Sequence, residues 1–468
     1  MGKMQRAWRD DLPIHRASGD RSEEAVRWED GRTAGHFDPM GFIRTVYPLY
    51  RTLVSDDMDE TMRIVKASVP NQDRFRILEF PSEQPVWTWS VPKKYVVHEA
   101  YLEVDDGKRK WRVADFHKNA LHLASYSVRV DQVFTFEEIK DHLYCNPERP
   151  EAIPWVFKYY DRDWGFCLPY SAYEKLPRDG RYHAVIRSEF LAGTLKVGEY
   201  TIPGSSKEFI LLIGDVCHPL QVNDSISGTA VLLDVLGRLE RKPQGYFGIR
   251  CLFLPETIGS IAYLANHEDL ISSFRYGLFA EMLGTAETLL LQRTRQDNHV
   301  LDRVSRYVLA RETGGRFREG PYCSTLATND EKVTNAPGVN IPTVSLTRWP
   351  YPEYHTSDDC PEIVDREQLG EASRVIEGII NVLQENYYPR RLFRGPVFLS
   401  GLNLDLDWRS KRSLKRGLQE AMFHLEGDES ILDIAQTTGV SFDDAKVFLD
   451  ALASRELIER HWVPSRRM

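Results

Sequence analysis

Cys217-His218-Pro219-Leu220-Gln221-Val222-Asn223-Asp224-Ser225-Ile226-Ser227-Gly228 decides how this chain is read. Before it runs Phe209-Ile210-Leu211-Leu212-Ile213, a short unbroken apolar run of the kind a strand covered on both faces shows. After it, Ser225 to Leu239 carries apolar residues at helical spacing, with Gly228 near the start. A histidine therefore stands just past the C-terminal end of a core strand, and an aspartate follows where a helix begins. Open α/β sheets build their sites along this edge. A neutral imidazole and a carboxylate there are ligand types that Zn²⁺ takes. The same two residues also read as an ordinary loop histidine and a helix-capping aspartate.

Two further segments repeat the pattern. Val344-Ser345-Leu346-Thr347-Arg348 reads as a strand end and leads into Trp349-Pro350-Tyr351-Pro352-Glu353-Tyr354-His355-Thr356-Ser357-Asp358-Asp359. Two prolines fix the backbone ahead of His355. Thr356 and Ser357 are placed to cap a helix starting near Pro361. Between these segments lies Cys251-Leu252-Phe253-Leu254-Pro255-Glu256-Thr257-Ile258-Gly259-Ser260, where another strand delivers a carboxylate and then a small-residue turn. Three strand ends, each with a metal-type or acid/base-type residue, point to one site.

The blocks Cys217 to Gly228, Pro255 to Ser260 and Tyr351 to Ser357, with Trp164-Gly165-Phe166-Cys167 and Trp87-Thr88-Trp89-Ser90-Val91-Pro92, carry a family resemblance. The chain resembles the bacterial zinc aminopeptidase-like proteins, long labelled a domain of unknown function. They are distant relatives of the co-catalytic zinc aminopeptidases and of glutamate carboxypeptidase. The resemblance covers the chain from about Gly41 onward. It implies an α/β fold with an aminopeptidase-like phosphorylase/hydrolase-type mixed sheet flanked by helices, a β-rich insertion and a C-terminal winged helix-turn-helix.

The resemblance also implies roles. His218, Asp224 and His355 fall on zinc-ligand positions, with Asp224 in place of the carboxylate that bridges the metals of two-zinc relatives. Those relatives carry a Glu-Glu pair, one the general base and the other a ligand, where this chain has Pro255-Glu256. A single carboxylate, Glu256, cannot easily do both jobs, so one zinc ion or two stays open. Glu281, in Ala280-Glu281-Met282-Leu283-Gly284, falls where relatives carry an acidic metal ligand. Asn329-Asp330-Glu331 resembles the loop lining the substrate pocket. Asp330 and Glu331 are then expected to hold a substrate ammonium group, and Tyr354, beside His355, is expected at the substrate.

The chemistry uses these parts. Zn²⁺ lowers the pKa of its water towards ~7 and polarises the scissile carbonyl. A carboxylate takes the water proton and passes it to the leaving amine. Catalytic zinc sites keep an open position, so three protein ligands are expected, a count that His218, Asp224 and His355 meet without Glu281.

Composition agrees with a soluble enzyme. The chain has 468 residues, 42% of them hydrophobic, which is enough for real cores and about three domains. Its net charge of −9 provides no general basic surface for nucleic acid or anionic membranes. Cys145, Cys167, Cys217, Cys251, Cys323 and Cys360 are scattered, which speaks against a disulfide scaffold and for a reducing, cytoplasmic setting. No apolar run approaches the ~20 residues that span a bilayer, and residues before Phe37 lack the apolar core of a signal peptide. His117, His122, His142 and His183 lack partners at ligand spacing, and nothing places a histidine beside Cys167. Trp87, Trp89 and Trp111 read as core aromatics of a small β-region.

The expected organisation is a flexible arm over 1–37, a zinc peptidase-like α/β domain over 38–70 and 181–394, a β-rich inserted domain over 71–180, and a winged helix-turn-helix over 395–468. Within the α/β domain, strands are expected near 182–188, 209–213, 249–254, 277–283 and 343–346. Residues 121–133 are expected to be strand-rich. In the last domain, the helix beginning at Ser441 carries Asp443, Asp444 and Asp450 against Lys446, a poor recognition helix for phosphates. The basic run Arg409, Lys411, Arg412, Lys415 and Arg416 lies on the preceding helix. A protein-contact module fits better than a DNA reader. The function read from the sequence is zinc-dependent hydrolysis of an amide bond in a free-amine peptide or peptide-like small molecule. The second reading is a non-hydrolytic binding or scaffold descendant, which the Pro255-Glu256 departure favours. A DNA-binding regulator is the third, and self-association into a homo-oligomer stays open.

Overall fold

The structure, a computed structural model, describes residues 37–323, 329–404 and 412–464. All of the expected arm except Phe37 lies outside these residues, as do Arg409 and Lys411 of the basic run.

Eight strands form one mixed sheet. They are β1 (Phe75–Pro81), β2 (Thr194–Ile202), β3 (Phe209–Asp215), β4 (Gly248–Leu254), β5 (Phe274–Ala280), β6 (Leu290–Gln292), β7 (Arg318–Gly320) and β8 (Thr343–Thr347). Their order is β1-β2-β4-β3-β5-β8-β6-β7. β4, β3, β5 and β8 run parallel at the centre. β1 and β2 on one side, and β6 against β8 on the other, are antiparallel. A parallel centre covered on both faces needs apolar residues at every position. All of β4 is buried, and all of β3 beyond Phe209. The four parallel strands end on one edge of the sheet, the edge that carries His218, Glu256, Glu281 and His355.

Helices flank this sheet: α1 (Pro39–Val46), α2 (Asp56–Ser68), α3 (Ile226–Leu239), α4 (Ile258–Ala265), α5 (Val300–Thr313) and α6 (Asp330–Thr334); α7 (Arg366–Glu385) comes later in the chain. α3 packs on β3 and β5 and is covered in turn by α1, so all of it except Arg238 is buried. Gly228 explains how close α3 comes. A Cβ at this position would stand 2.0 Å from the Ala280 carbonyl oxygen, so any side chain there would push the helix off β5.

The inserted region holds a four-stranded antiparallel sheet with strand order 110–115, 94–105, 181–191, 130–135. Two strands depart from expectation. Residues 75–81 belong to the large sheet as β1. Residues 181–191, expected in the α/β domain, pair along their length with 94–105 and with 130–135. Tyr182, Ala184 and Ile186 alternate into the insert's own core with Leu102, Phe136 and Phe166, and this burial draws the strand there. Residues 121–133 hold a short 3₁₀ turn and are strand only from Val130. Trp111 packs partly against this core, whereas Trp87 and Trp89 are exposed, against expectation. Trp87 donates instead to Glu268.

The chain divides into two units between Glu377 and Gly378. This lies upstream of the expected boundary at Gly395-Pro396, because residues 388–391 pair antiparallel with 458–461. The second unit adds helices at 412–421, 431–438 and 442–453. Ser430 and Asp433 form a capping box, and Ser441 accepts the Asp444 N–H at 3.0 Å. Asp450 engages Lys446, Arg460 and the Tyr387 hydroxyl within the same unit. No helix among the described residues is long and apolar enough to cross a membrane.

Candidate metal centre

Each of the four parallel strands hands its chain on through a non-glycine residue in the left-handed region. These are His218 (φ 72°) after β3, Thr257 (62°) after β4, Met282 (49°) after β5 and His355 (53°) after β8. Such residues are uncommon and cost about 1–3 kcal/mol each, so the surrounding structure must hold them.

Arg51 holds the first. Fully buried, it donates from Nε to the Val216 carbonyl (3.0 Å) and from Nη2 to the carbonyls of His218 (2.6 Å) and Gln221 (2.8 Å). Nη1 reaches the Val46 carbonyl at 2.9 Å. Burial pulls its pKa down to about 10. Arg51→Ala would leave these carbonyls without donors, and it is expected to cost about 3–5 kcal/mol. Denaturant unfolding checks this, and a loss under about 1 kcal/mol would contradict it.

Asp359 ties the loop after β8 to the loop after β3. It accepts three successive backbone N–H groups, from Val222 (3.1 Å), Asn223 (2.7 Å) and Asp224 (3.1 Å), and the Tyr351 hydroxyl at 2.8 Å. Burial and the nearby Asp224 charge nevertheless push its pKa up to about 7. Asn223 and Ser227 extend the clamp to the Glu281 loop, accepting from Gly284 N–H (2.8 Å) and Leu283 N–H (2.9 Å). Asp224 is therefore free of a capping role, and Ser225, which precedes α3, makes no side-chain cap. Thr356 and Ser357 do not cap a helix either. Ser357 accepts the Ile153 N–H at 3.0 Å, and the short 3₁₀ helix that does start at Pro361 has no side-chain cap.

The ligand atoms of His218, Asp224 and His355 lie within 4.8 Å of one another, as do those of Cys217, His218 and Glu256. His355 Nε2 is 3.0 Å from Asp224 Oδ2, and His218 Nδ1 is 3.7 Å from Oδ1. His218 Nε2 is 3.1 Å from Glu256 Oε2. His355 Nε2 is buried, and its one close polar neighbour is the Asp224 carboxylate, which it does not meet in hydrogen-bond alignment. Burial by itself would lower the His218 pKa, but Asp224, Cys217 and Glu256 raise it well above the usual imidazole value. Burial would raise the Asp224 pKa, but the two histidines hold it low.

A second group of acids crowds the same edge. Glu281 is buried and accepts from Asn329 Nδ2. Burial, then Glu331, Asp224 and Glu256, push its pKa far up. Asp330 is fully buried and accepts the Thr257 N–H at 3.1 Å, with its pKa pushed up to about 6, chiefly by burial. Glu331 accepts from Gln292 Nε2 at 2.6 Å, and burial lifts it to about 7. Asp215 is buried with neither oxygen on a donor. Burial and then Asp330 push its pKa well above the usual carboxyl value. Two imidazoles, a bridging-type carboxylate and surrounding acids that repel one another form a donor set that suits a divalent cation.

All the residues singled out in the sequence at the strand ends, His218, Asp224, Glu256 and His355, thus converge. Glu281 and Glu331 lie in the acid group that adjoins them, and Asp330 braces the Glu256 turn. Tyr354 stacks on His355 at 3.8 Å between ring centroids. Sequence reasoning missed Cys217, whose Sγ is 3.4 Å from His218 Nδ1 and accepts the Glu256 N–H at 3.2 Å. It also missed Asp215, which stood in plain view as an acid at the end of β3. Arg51, Asp359 and Trp155 gave no local signal. Trp155 comes from the insert and stands edge-on to both His218 (4.5 Å) and His355 (4.6 Å).

A Clostridium acetobutylicum protein, provisionally named a polysaccharide biosynthesis protein with aminopeptidase-like domain, is 31% identical over 89% of this chain and 95% of its own length. A solved structure from the same organism, provisionally described as a peptidase, superposes with a TM-score of 0.76 at 31% identity, covering 90% of this chain and 96% of that one. The Bacillus subtilis zinc aminopeptidase shares the fold at 14% identity and a TM-score of 0.56, covering 74% of this chain and 94% of that one. A peptidase M28 precursor from Shewanella amazonensis does so at 12% and 0.52, covering 74% and 92%. The profile described as Domain of unknown function (DUF4910) matches residues 40–386, and the chain belongs to that family.

Proposed function

We propose that this chain is a zinc-dependent hydrolase that cleaves an amide bond in a free-amine peptide or peptide-like small molecule. The observation that carries the reading is the convergence of His218, Asp224 and His355, with Glu256 at 3.1 Å from His218. His218, Asp224 and His355 hold the metal, with Glu281 beside them if a second ion binds. Zinc bound there supplies Lewis-acid activation of water and of the scissile carbonyl. Glu256, a partly exposed carboxylate, takes the proton from the attacking water and delivers it to the departing amine. Asp330 keeps Glu256 aimed by holding the strained Thr257 N–H. Tyr354, stacked on His355, places its ring at the substrate.

Asp330 and Glu331, with pKa values of about 6 and 7 that leave carboxylate present near neutral pH, favour a positive amine at the substrate end. Charge-assisted hydrogen bonds of this kind contribute roughly 1.5–3 kcal/mol each. An amino-acid amide is therefore expected to be cleaved at least about tenfold more efficiently than its N-acetyl form, ~1.4 kcal/mol being one decade. Comparing kcat/KM for the two forms tests this, and equal values would reject the amine preference.

The six unpaired cysteines support a reducing, cytoplasmic setting. The helix and ribbon order of the second unit supports a winged-helix reading. Its third helix presents acids, which favours contact with a protein over DNA. The alternative, a non-hydrolytic binding protein, is favoured by the single carboxylate at Pro255-Glu256. Purified protein with bound zinc and amide turnover supports the hydrolase. Bound zinc without turnover supports the alternative.

A further inference from the structure

Residues 153–159 come from the inserted region, yet they touch the metal cluster. One end is fastened to the His355 loop: Trp155 N–H donates to the His355 carbonyl at 2.7 Å, and Ser357 N–H to the Ile153 carbonyl at 2.8 Å. The other end is fastened to Ser125, whose N–H reaches the Val156 carbonyl at 2.8 Å while its carbonyl accepts Lys158 N–H at 2.8 Å. Isolated β-bridges form at Pro154 and Phe157, so the segment is extended and alternate side chains share a face.

Trp155 and Phe157 lie on that face, and Tyr159, in the turn that follows, stacks back on Phe157. Trp155 stands edge-on to both histidines. Tyr159 is held in turn by Tyr126, whose ring meets it edge-on at 5.3 Å. Phe157 lies between them, 5.0 Å from the Trp155 ring and stacked at 4.4 Å on Tyr159. It is 42% exposed, an accessible aromatic surface beside a polar centre.

Resting on the hydrolase reading above, we infer that Phe157, supported by Trp155 and Tyr159, forms the side-chain subsite of this centre and takes an aromatic group next to the amide to be cleaved. A ring held from both sides loses little freedom when a ligand packs on it. Ring–ring contact adds to the burial of area, whereas a methyl group covers little of this surface.

The test uses the zinc-loaded full chain with L-phenylalaninamide and L-alaninamide, measuring zinc content alongside kcat/KM. The parent is expected to prefer the phenylalanine compound by at least about 30-fold. Phe157→Ala should cut that ratio at least about fivefold with zinc content unchanged, and Phe157→Tyr should keep it. Turnover of both amides with a ratio that Phe157→Ala leaves alone overturns the subsite while the hydrolase stands. If neither amide is cleaved, calorimetry with L-phenylalanine and L-alanine decides. Tighter phenylalanine binding that Phe157→Ala removes supports the subsite and rejects the hydrolase. Equal affinities overturn the subsite.

Discussion

His218→Ala and His355→Ala are each expected to strip the protein of its metal and abolish metal-dependent amide hydrolysis. Each removes one of the three side chains that converge within 4.8 Å, and each leaves Asp224 without one of the two imidazoles that hold it ionised. Changes behind a metal ligand already cost 10–100-fold, so loss of a ligand should cost more than about 10²-fold in rate. Elemental analysis and kcat on the same preparations check the result. Unchanged zinc in both variants would remove His218 and His355 from the site.

Glu256→Gln is expected to separate binding from chemistry. The amide keeps the shape and the backbone N–H to Cys217 Sγ at 3.2 Å but cannot accept a proton. Zinc should therefore stay while the rate falls by ~10²–10⁴-fold. Loss of metal together with rate would make Glu256 a ligand, a role its 3.1 Å approach to His218 also permits. A fully active variant would exclude both roles.

Much of this site was legible in the sequence because of where it sits. Parallel strands buried on both faces give unbroken apolar runs, and the residues that follow each run land on one edge. His218, Asp224 and His355 could be read that way, as could Glu256. The braces could not. Arg51 reaches carbonyls more than 160 positions away, and Trp155 arrives from an insertion, so neither leaves a local pattern. Residues 181–191 were misplaced for a different reason. A long alternating strand fits either sheet, and only the core that receives Tyr182, Ala184 and Ile186 decides between them. The caps expected from Thr356 and Ser357 did not form: Ser357 accepts from Ile153 of the insertion, and the Thr356 hydroxyl stays within its own loop, on the Glu353 carbonyl and the Asp358 N–H.

The central claim is that His218, Asp224 and His355 hold zinc. Crystals of protein grown with zinc, measured on both sides of the zinc absorption edge, test it most directly. The account predicts an anomalous peak at ~2.0–2.2 Å from a nitrogen of each histidine and an oxygen of Asp224. A zinc-supplied crystal with no peak there, or with zinc held only by other residues, would contradict it.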